Sequence, residues 1–242
     1  MNLEAVWHDL ECGGYREDLP LWRTLASAAS GPVLDVGAGT GRVTLDLAAR
    51  GVEVVALEVC APLLDALVVR ATGLTVTAVH ADARDFVLDR RVSLVVVPMQ
   101  TLQLLDGVAG RAAFLRCALA HLEPGGLVAA ALADATECFD EEHPLPPPPD
   151  ERTILGVRYA SQLRSVIDEG AHAAIHRRRE ILGEGRHETT DVAIHLDRVT
   201  ADEVAHEAQA LGFTPKPHRH IPETETYLGA TVVVARAPGL WA

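Results

Sequence analysis

Apolar and polar positions along this chain alternate between two periods. Residues 32–36, 52–57, 74–80, 92–97 and 127–132 are short apolar runs of strand length. Between them, apolar residues recur at helical spacing. Over 16–29 these are Leu19, Leu21, Trp22, Leu25 and Ala26, with Pro20 near the start, where helices tolerate proline. Over 42–50 they are Val43, Leu47 and Ala48, and Gly51 supplies the stop. A helix over 62–71 starts at Pro62, and one over 110–121 turns Phe114, Leu115, Ala118 and Leu119 inward. Glu123-Pro124-Gly125-Gly126 is a turn before the fifth strand. Strands alternating with helices predict an α/β fold with a doubly wound, mostly parallel sheet. Right-handed crossovers would cover both of its faces.

The rhythm breaks at 143–150, where four consecutive prolines, Pro146 to Pro149, favour an extended, stiff connector. Beyond it, 157–167, 171–182 and 189–196 lack helical stripes and are divided by Glu169-Gly170 and Gly183-Glu184-Gly185. They predict a small antiparallel β insertion of about three strands. Thr200 and Glu203 stand at capping-box spacing before a helix that buries Val204, Ala208 and Leu211 and ends at Gly212. Stretches 214–218 and 227–235 would be closing strands. The organisation expected is therefore a core over 1–150 with an N-terminal helix, an insertion over 151–197, and a helix with closing strands of the core over 198–242.

The loop Gly37-Ala38-Gly39-Thr40-Gly41 directly follows the apolar strand Val33-Leu34-Asp35-Val36. Glycines there let the backbone turn sharply and let a ligand approach without a Cβ in the way. The ligand would lie beyond the carboxyl end of the first strand. The spacing is G-x-G-x-G, not the G-x-G-x-x-G of dinucleotide loops, and no G-K-[ST] follows. Glu58 ends the second strand, where a carboxylate can accept from both hydroxyls of a ribose. Asp82 follows the third strand, where it can accept from an amino group. On the residues alone, Asp35 could equally tether the loop, Glu58 could be a solvated strand end, and Asp85 rather than Asp82 could cap a helix.

Taken together and in order, these motifs resemble the class I S-adenosylmethionine-dependent methyltransferases. Residues 33–41 are similar to their motif I, Glu58 to the acidic residue of motif II, and Ala81-Asp82-Ala83 to motif III. Residues 94–105 fit motif IV, and Leu122-Glu123-Pro124-Gly125-Gly126 fits the turn before the fifth strand. The resemblance implies a seven-stranded Rossmann-like sheet and S-adenosylmethionine as cofactor, with S-adenosylhomocysteine as product. It implies that Asp35, Gly37, Ala38, Gly39, Thr40 and Gly41 hold the methionine part. Glu58 with Val59 would serve the ribose, and Asp82 with Ala83 the adenine. Pro98, Met99 and Gln100 would line the methyl side. Tyr15 aligns with an N-terminal tyrosine that caps the cofactor and faces the acceptor in several small-molecule members.

Charge narrows the acceptor. Acidic residues outnumber basic ones, 34 to 21, for a formal charge of −13. Such a surface repels phosphate backbones and anionic membranes, which favours a small-molecule substrate. The run Arg177, Arg178, Arg179 is the one candidate basic patch, and a solvated strand or turn explains it better. Pro98-Met99-Gln100-Thr101 is neither the [DN]-P-P-[YF] of base and glutamine amino-methylases nor a Pro-Cys loop for covalent attack. A methyl transfer to O or N of a small molecule is expected. A non-catalytic binder of the cofactor and, less favoured, an NAD(P)-dependent oxidoreductase remain the alternatives.

Catalytic groups are sparse. Tyr15, Gln100 and His176 are the candidates, and no histidine has an evident partner. His218 and His220 would share one face of a strand, without a third metal ligand; no metal is expected. The insertion would roof an acceptor pocket, through Tyr159, Gln162, Arg164 and His176, or form the contact of a homodimer. Cys12, Cys60, Cys117 and Cys138 make no C-x-x-C pair. With no basic-then-apolar leader at Met1-Asn2-Leu3-Glu4 and no apolar run of about 18 residues, a cytoplasmic protein is expected.

Overall fold

The computed structural model describes residues 2–133, 148–183, 185–224 and 229–239. They form two compact units. The larger comprises the described residues of Tyr15–Asp134 and Val199–Ala242, the smaller those of Leu3–Gly14 and Ala135–Arg198.

In chain order, the smaller unit supplies helix α1 (Leu3–Glu11), and the larger begins with α2 (Leu19–Ser27), β1 (Val33–Val36) and α3 (Arg42–Ala48). It continues through β2 (Val54–Glu58), α4 (Ala61–Arg70), β3 (Val76–His80) and β4 (Val92–Val97). A 3-10 turn at Thr101–Leu104, α5 (Gly107–His121) and β5 (Leu122–Ala133) follow. The smaller unit then adds β6 (Asp150–Ile154), β7 (Val157–Asp168), β8 (His172–Gly183) and β9 (Arg186–Asp197). The larger closes with α6 (Ala201–Ala210), β10 (Thr214–Ile221) and β11 (Ala230–Arg236).

The larger unit is the expected doubly wound sheet, in the order β10-β11-β5-β4-β1-β2-β3. Strands β1 to β5 pair in parallel; β11 runs antiparallel to both β5 and β10. Residues of β1 and β4 are buried throughout, because helices cover both faces of the sheet. The period of two then sorts the side chains into layers. Leu34, Val36, Val55, Leu57, Val95 and Val97 pack with Phe114, Leu115 and Ala118 of α5 and Val204 and Ala208 of α6. Val33, Val54, Leu94 and Val96 pack on the other side with Trp22 of α2 and Val43 and Leu47 of α3. The capping box of α6 forms as its spacing predicts: Thr200 and Glu203 satisfy each other's backbone N–H groups.

The smaller unit is an antiparallel sheet of four strands, β6-β7-β8-β9, not about three. The added strand, Asp-Glu-Arg-Thr-Ile, is mostly exposed and carries no apolar alternation, so its pattern is silent. It turns into β7 through Leu155 and Gly156, both at positive φ (50° and 82°), the two-residue turn that suits hairpin twist. Helix α1 covers this sheet with Val6 and Trp7, which join Tyr159 and Ile181 in a small core; the Trp7 and Tyr159 rings meet edge-on at 5.6 Å.

The three consecutive arginines lie on β8, as a strand reading requires, but two of them are not solvated. Arg179 donates two hydrogen bonds to Glu11, at 2.8 and 2.7 Å, and lies over the Trp7 ring. Arg177 bonds Ser161 and Asp150, at 2.9 and 2.5 Å. Arg178, on the opposite face, pairs with exposed Asp191. Strand alternation, not a basic patch, accounts for the run.

Expected strand 214–218 extends to Ile221, with a register shift between Lys216 and Arg219. Most of connector 143–150, Cys138, and Tyr227 of the last expected strand lie outside the described residues. Among the described residues no helix is long and apolar enough to cross a membrane.

Candidate functional site

Strand register brings three acids to adjacent strand ends. Asp35 of β1 sits beside Ala56 of β2, Glu58 of β2 sits beside His80 of β3, and Asp82 lies just past β3. The glycine loop crosses above them. Its first N–H groups, from Gly37 and Ala38, both donate to Leu57 O, at 2.9 and 3.0 Å. Gly37 has φ +71°, and a Cβ there would lie 2.6 Å from Thr101 Cγ2. Gly41, at φ +99°, caps α3, and a Cβ there would meet Leu45 and Leu67 at about 3.0 Å. Both positions therefore require glycine for conformation and for space. Ala38 and Thr40 are buried, and Arg70 donates to Thr40 O at 3.2 Å.

Each acid differs in how many of its acceptor positions are filled. An ionised carboxylate offers about four. Glu58 is buried; Oε2 accepts from Gly39 N and Oε1 from Cys60 N, both at 2.8 Å. Among the described residues one position remains open on each oxygen, the arrangement a vicinal diol needs. Asp82 accepts at Oδ1 from the Arg84 backbone N–H (2.8 Å) and Arg84 Nε (3.0 Å), and at Oδ2 from Arg84 Nη2 (2.7 Å). Arg84 Nε also reaches Oδ2, at 3.2 Å, so the guanidinium engages both carboxylate oxygens. The Arg84 side chain and backbone N–H hold its carboxyl below the usual value.

Asp35 is the anomaly. It is fully buried, its Oδ2 accepts from Thr44 Oγ1 at 2.6 Å, and its Oδ1 has no partner among the described residues. Burial pushes its carboxyl up to about 6, against the Thr44 hydrogen bond and the attraction of Arg42. A carboxylate oxygen left bare inside a protein is costly, and such groups mark places where something else is meant to sit. The tethering reading of Asp35 holds for one oxygen and leaves the other unexplained.

The loop after β4, which the resemblance expects on the methyl side, is tightly built. Pro98 is buried, Met99 adopts φ 56° and packs on the core, and Gln100 is half-buried. Thr101 Oγ1 donates to Pro98 O at 3.0 Å, and buried Gln103 accepts from Ala133 N at 2.9 Å. Val59 is 62% exposed beside Glu58, whereas Ala83 is buried in the core. Tyr15 is buried, its ring under the Arg42 guanidinium at 5.1 Å. Asp85 caps no helix; with Asp82 it closes a turn.

The candidates Tyr159, Gln162, Arg164 and His176 lie in the smaller unit, and His218 and His220 in the larger. His176 sits on β8 opposite Ala193 and Ser165. Gln162 accepts from Arg164 at 3.2 Å, and Tyr159 belongs to that unit's core rather than to an open surface. His218 pairs with Asp202 at 3.2 Å and His220 with Thr231 at 3.2 Å, two separate contacts on either side of no shared ligand. No group of three metal-ligating side chains occurs among the described residues.

Several residues escaped the sequence reading. Arg42, first in α3, forms a buried bidentate pair with Asp18 (2.5 and 2.7 Å), and Asp18 also accepts from Trp22 Nε1 at 2.8 Å. This network fixes α2 against the helix that follows the glycine loop. Arg84 and Thr44 likewise set the acids and went unseen. Arg84, two residues from Asp82, offered the only local cue.

Residues 33–126 match a family model described as a methyltransferase domain. The chain is 37% identical over 105 residues to the cypemycin N-terminal methyltransferase of a Streptomyces species, a match covering 43% of this chain and 42% of that protein. It thus spans less than half of that relative. Two solved structures share the fold. One is an amino pentose methyltransferase from Micromonospora echinaspora with bound S-adenosylmethionine: TM-score 0.73, 22% identity, 98% of this chain and 97% of that one. The other is a glycopeptide N-methyltransferase with S-adenosylhomocysteine: TM-score 0.63, 25% identity, 91% and 87%.

Proposed function

We propose that this chain is a class I S-adenosylmethionine-dependent methyltransferase and transfers a methyl group to an O or N atom of a small-molecule acceptor. We favour an amine nitrogen, since one similar protein is named a glycopeptide N-methyltransferase and another an N-terminal methyltransferase. The observation that carries the reading is the pair of buried acids at adjacent strand ends, Asp35 and Glu58, whose oxygens keep open acceptor positions among the described residues, beside a loop that needs glycine at 37 and 41.

The residues present fit the cofactor. Its ammonium group would give the bare Asp35 oxygen a cation and a donor, its ribose hydroxyls match the two open positions of Glu58, and Asp82, held by Arg84, would stand beside its adenine. Bound there, the cofactor supplies a methyl group already activated by a sulfonium. The chain's part is then to hold two reactants in line and keep water out, which can be worth roughly 7–11 kcal/mol of a barrier. The hydrogen bond from Thr101 to Pro98 and the anchor from Gln103 to Ala133 hold the methyl-side loop in one shape for that purpose. An acceptor amine must arrive unprotonated or lose its proton to a base.

Calorimetry with S-adenosylmethionine and NADH in parallel tests the cofactor. Release of S-adenosylhomocysteine from a pool of small amines and alcohols tests turnover. Binding without turnover on any acceptor would make the chain a binding protein, and NADH binding alone would overturn the reading.

A further inference from the structure

The glycine loop ends on a buried cation. Arg42 opens α3 directly after Gly41. Asp18, fully buried, accepts from its Nη1 and Nη2. Nη1 also donates to Tyr15 O at 3.1 Å, and the guanidinium lies over the Tyr15 ring. Two residues on, Thr44 of the same helix donates to Asp35. Asp35 is thus acted on from α3 by Arg42 and Thr44, and from the head of α2 by Asp18. On its other sides, β4 sets uncharged Val96 beside it, and Glu58 lies two residues beyond its partner Ala56 on β2. A buried ion pair is costly to desolvate and is weak evidence for a stabilising role. Helices α2 and α3 already share an apolar cluster through Trp22, Val43 and Leu47.

We infer that Arg42 is a positioning residue for the methionine end of the cofactor: pinned by Asp18, its guanidinium fixes Tyr15 beside the glycine loop and places a positive charge that favours the carboxylate form of Asp35. This rests on the cofactor reading above. Burial drives Asp35 toward its neutral form, and a neutral acid pairs poorly with an ammonium. Arg42 opposes that drive, and Asp18 aids it. Although the pair has no net charge, the attraction of Arg42 outweighs the repulsion of Asp18 at Asp35. A lysine could supply the charge. It lacks the planar fork that bonds Asp18, reaches Tyr15 O and stacks on the ring at once.

The test is calorimetry with S-adenosylhomocysteine between pH 5 and 8, on the full chain. Wild-type affinity should rise with pH through about 6, as Asp35 ionises, and level off above. Arg42→Met alone would strand the buried Asp18 carboxylate, so it is combined with Asp18→Asn. In that double variant the rise should move to higher pH by about half a unit, roughly a threefold extra loss at pH 5. Asp18→Asn alone should move it to lower pH, since the repelling charge goes and the attracting one stays. Arg42→Lys should keep the wild-type profile but bind more weakly by a similar factor at every pH, because the clasp on Tyr15 is lost. If the double variant fails to fold, the opposite shift of Asp18→Asn carries the same comparison. Folded variants that all follow the wild-type profile would overturn the influence on Asp35. Arg42→Lys equal to wild type throughout would overturn the clasp on Tyr15. Failure of wild type to bind at any pH would instead overturn the cofactor reading.

Discussion

Glu11 in the smaller unit and Asp35 in the larger are both carboxylates taken out of water, and they end in opposite states. For Glu11, burial raises the carboxyl, but the Arg179 and Ser161 hydrogen bonds and the charges of Arg179 and Arg177 outweigh it, so the net shift is downward. For Asp35, burial is opposed chiefly by Thr44, and the net shift is upward to about 6. One acid is closed, with both oxygens satisfied by the chain; the other is open, with an oxygen that the described residues leave bare. A closed buried charge is framework, holding α1 to its sheet. An open one costs stability and is retained where a ligand completes it.

The largest effect is expected where the closed acid is removed. Glu11→Ala leaves Arg179 and Arg177 facing each other without their carboxylate, and should cost about 3 kcal/mol in urea unfolding. Glu11→Gln, which keeps the shape, should cost less. Because the Glu11 carboxyl is lowered from its ordinary 4.5, its contribution is present above that value and is lost as pH falls through the lowered one. A loss below about 0.5 kcal/mol, the surface norm, would mean that Glu11 is no more than a solvated residue.

Next is the half-open acid. Glu58→Ala removes an acceptor for the loop amide of Gly39 and for a bound diol, and should weaken S-adenosylhomocysteine by about 1–3 kcal/mol in calorimetry. An affinity equal to wild type would remove Glu58 from the site.

The sequence discloses these acids unequally. The doubly wound sheet is legible because β1 and β4 are buried on both faces and so read as continuous apolar runs; the 92–97 run coincides with the strand found. The glycine loop is legible because Gly37 and Gly41 answer to local backbone demands. Helix α1 carries a readable stripe, Leu3, Val6, Trp7 and Leu10, that the stronger pattern downstream overshadows. What local pattern cannot carry is pairing across the chain. Glu11 meets Arg179 across 168 positions and Asp18 meets Arg42 across 24, so neither contact leaves a periodic trace. The motifs locate Asp35, Glu58 and Asp82. Which of their oxygens are free is decided by Thr44, Cys60 and Arg84, and only packing reveals it.

Thr44 is to Asp35 what Arg179 is to Glu11, but as a single neutral donor. Thr44→Val should therefore cost about 1–2 kcal/mol at pH 8, where Asp35 is ionised and would lose its hydroxyl donor. At pH 5 the loss should shrink, because a protonated Asp35 depends less on an outside donor. Urea unfolding at the two pH values checks this, and equal losses would detach Thr44 from the charge of Asp35.

The smallest expected effect has the most telling sign. Asp35 lies near 6 in the folded chain against 3.8 in the unfolded one. Between those values the native state holds a proton that the unfolded chain has released, so stability falls as pH rises through the window and stays lower above it. The difference between the two protonation states is on the order of 3 kcal/mol. Asp35→Asn removes the charge but buries an amide whose N–H groups lack a partner, so only about 1 kcal/mol should be regained at pH 8. Little or nothing should be gained at pH 4. The same variant should bind S-adenosylhomocysteine more weakly than wild type. A variant more stable without ligand and poorer with it would mark Asp35 as an acid kept open for binding; a variant less stable at pH 8 would make it a second Glu11.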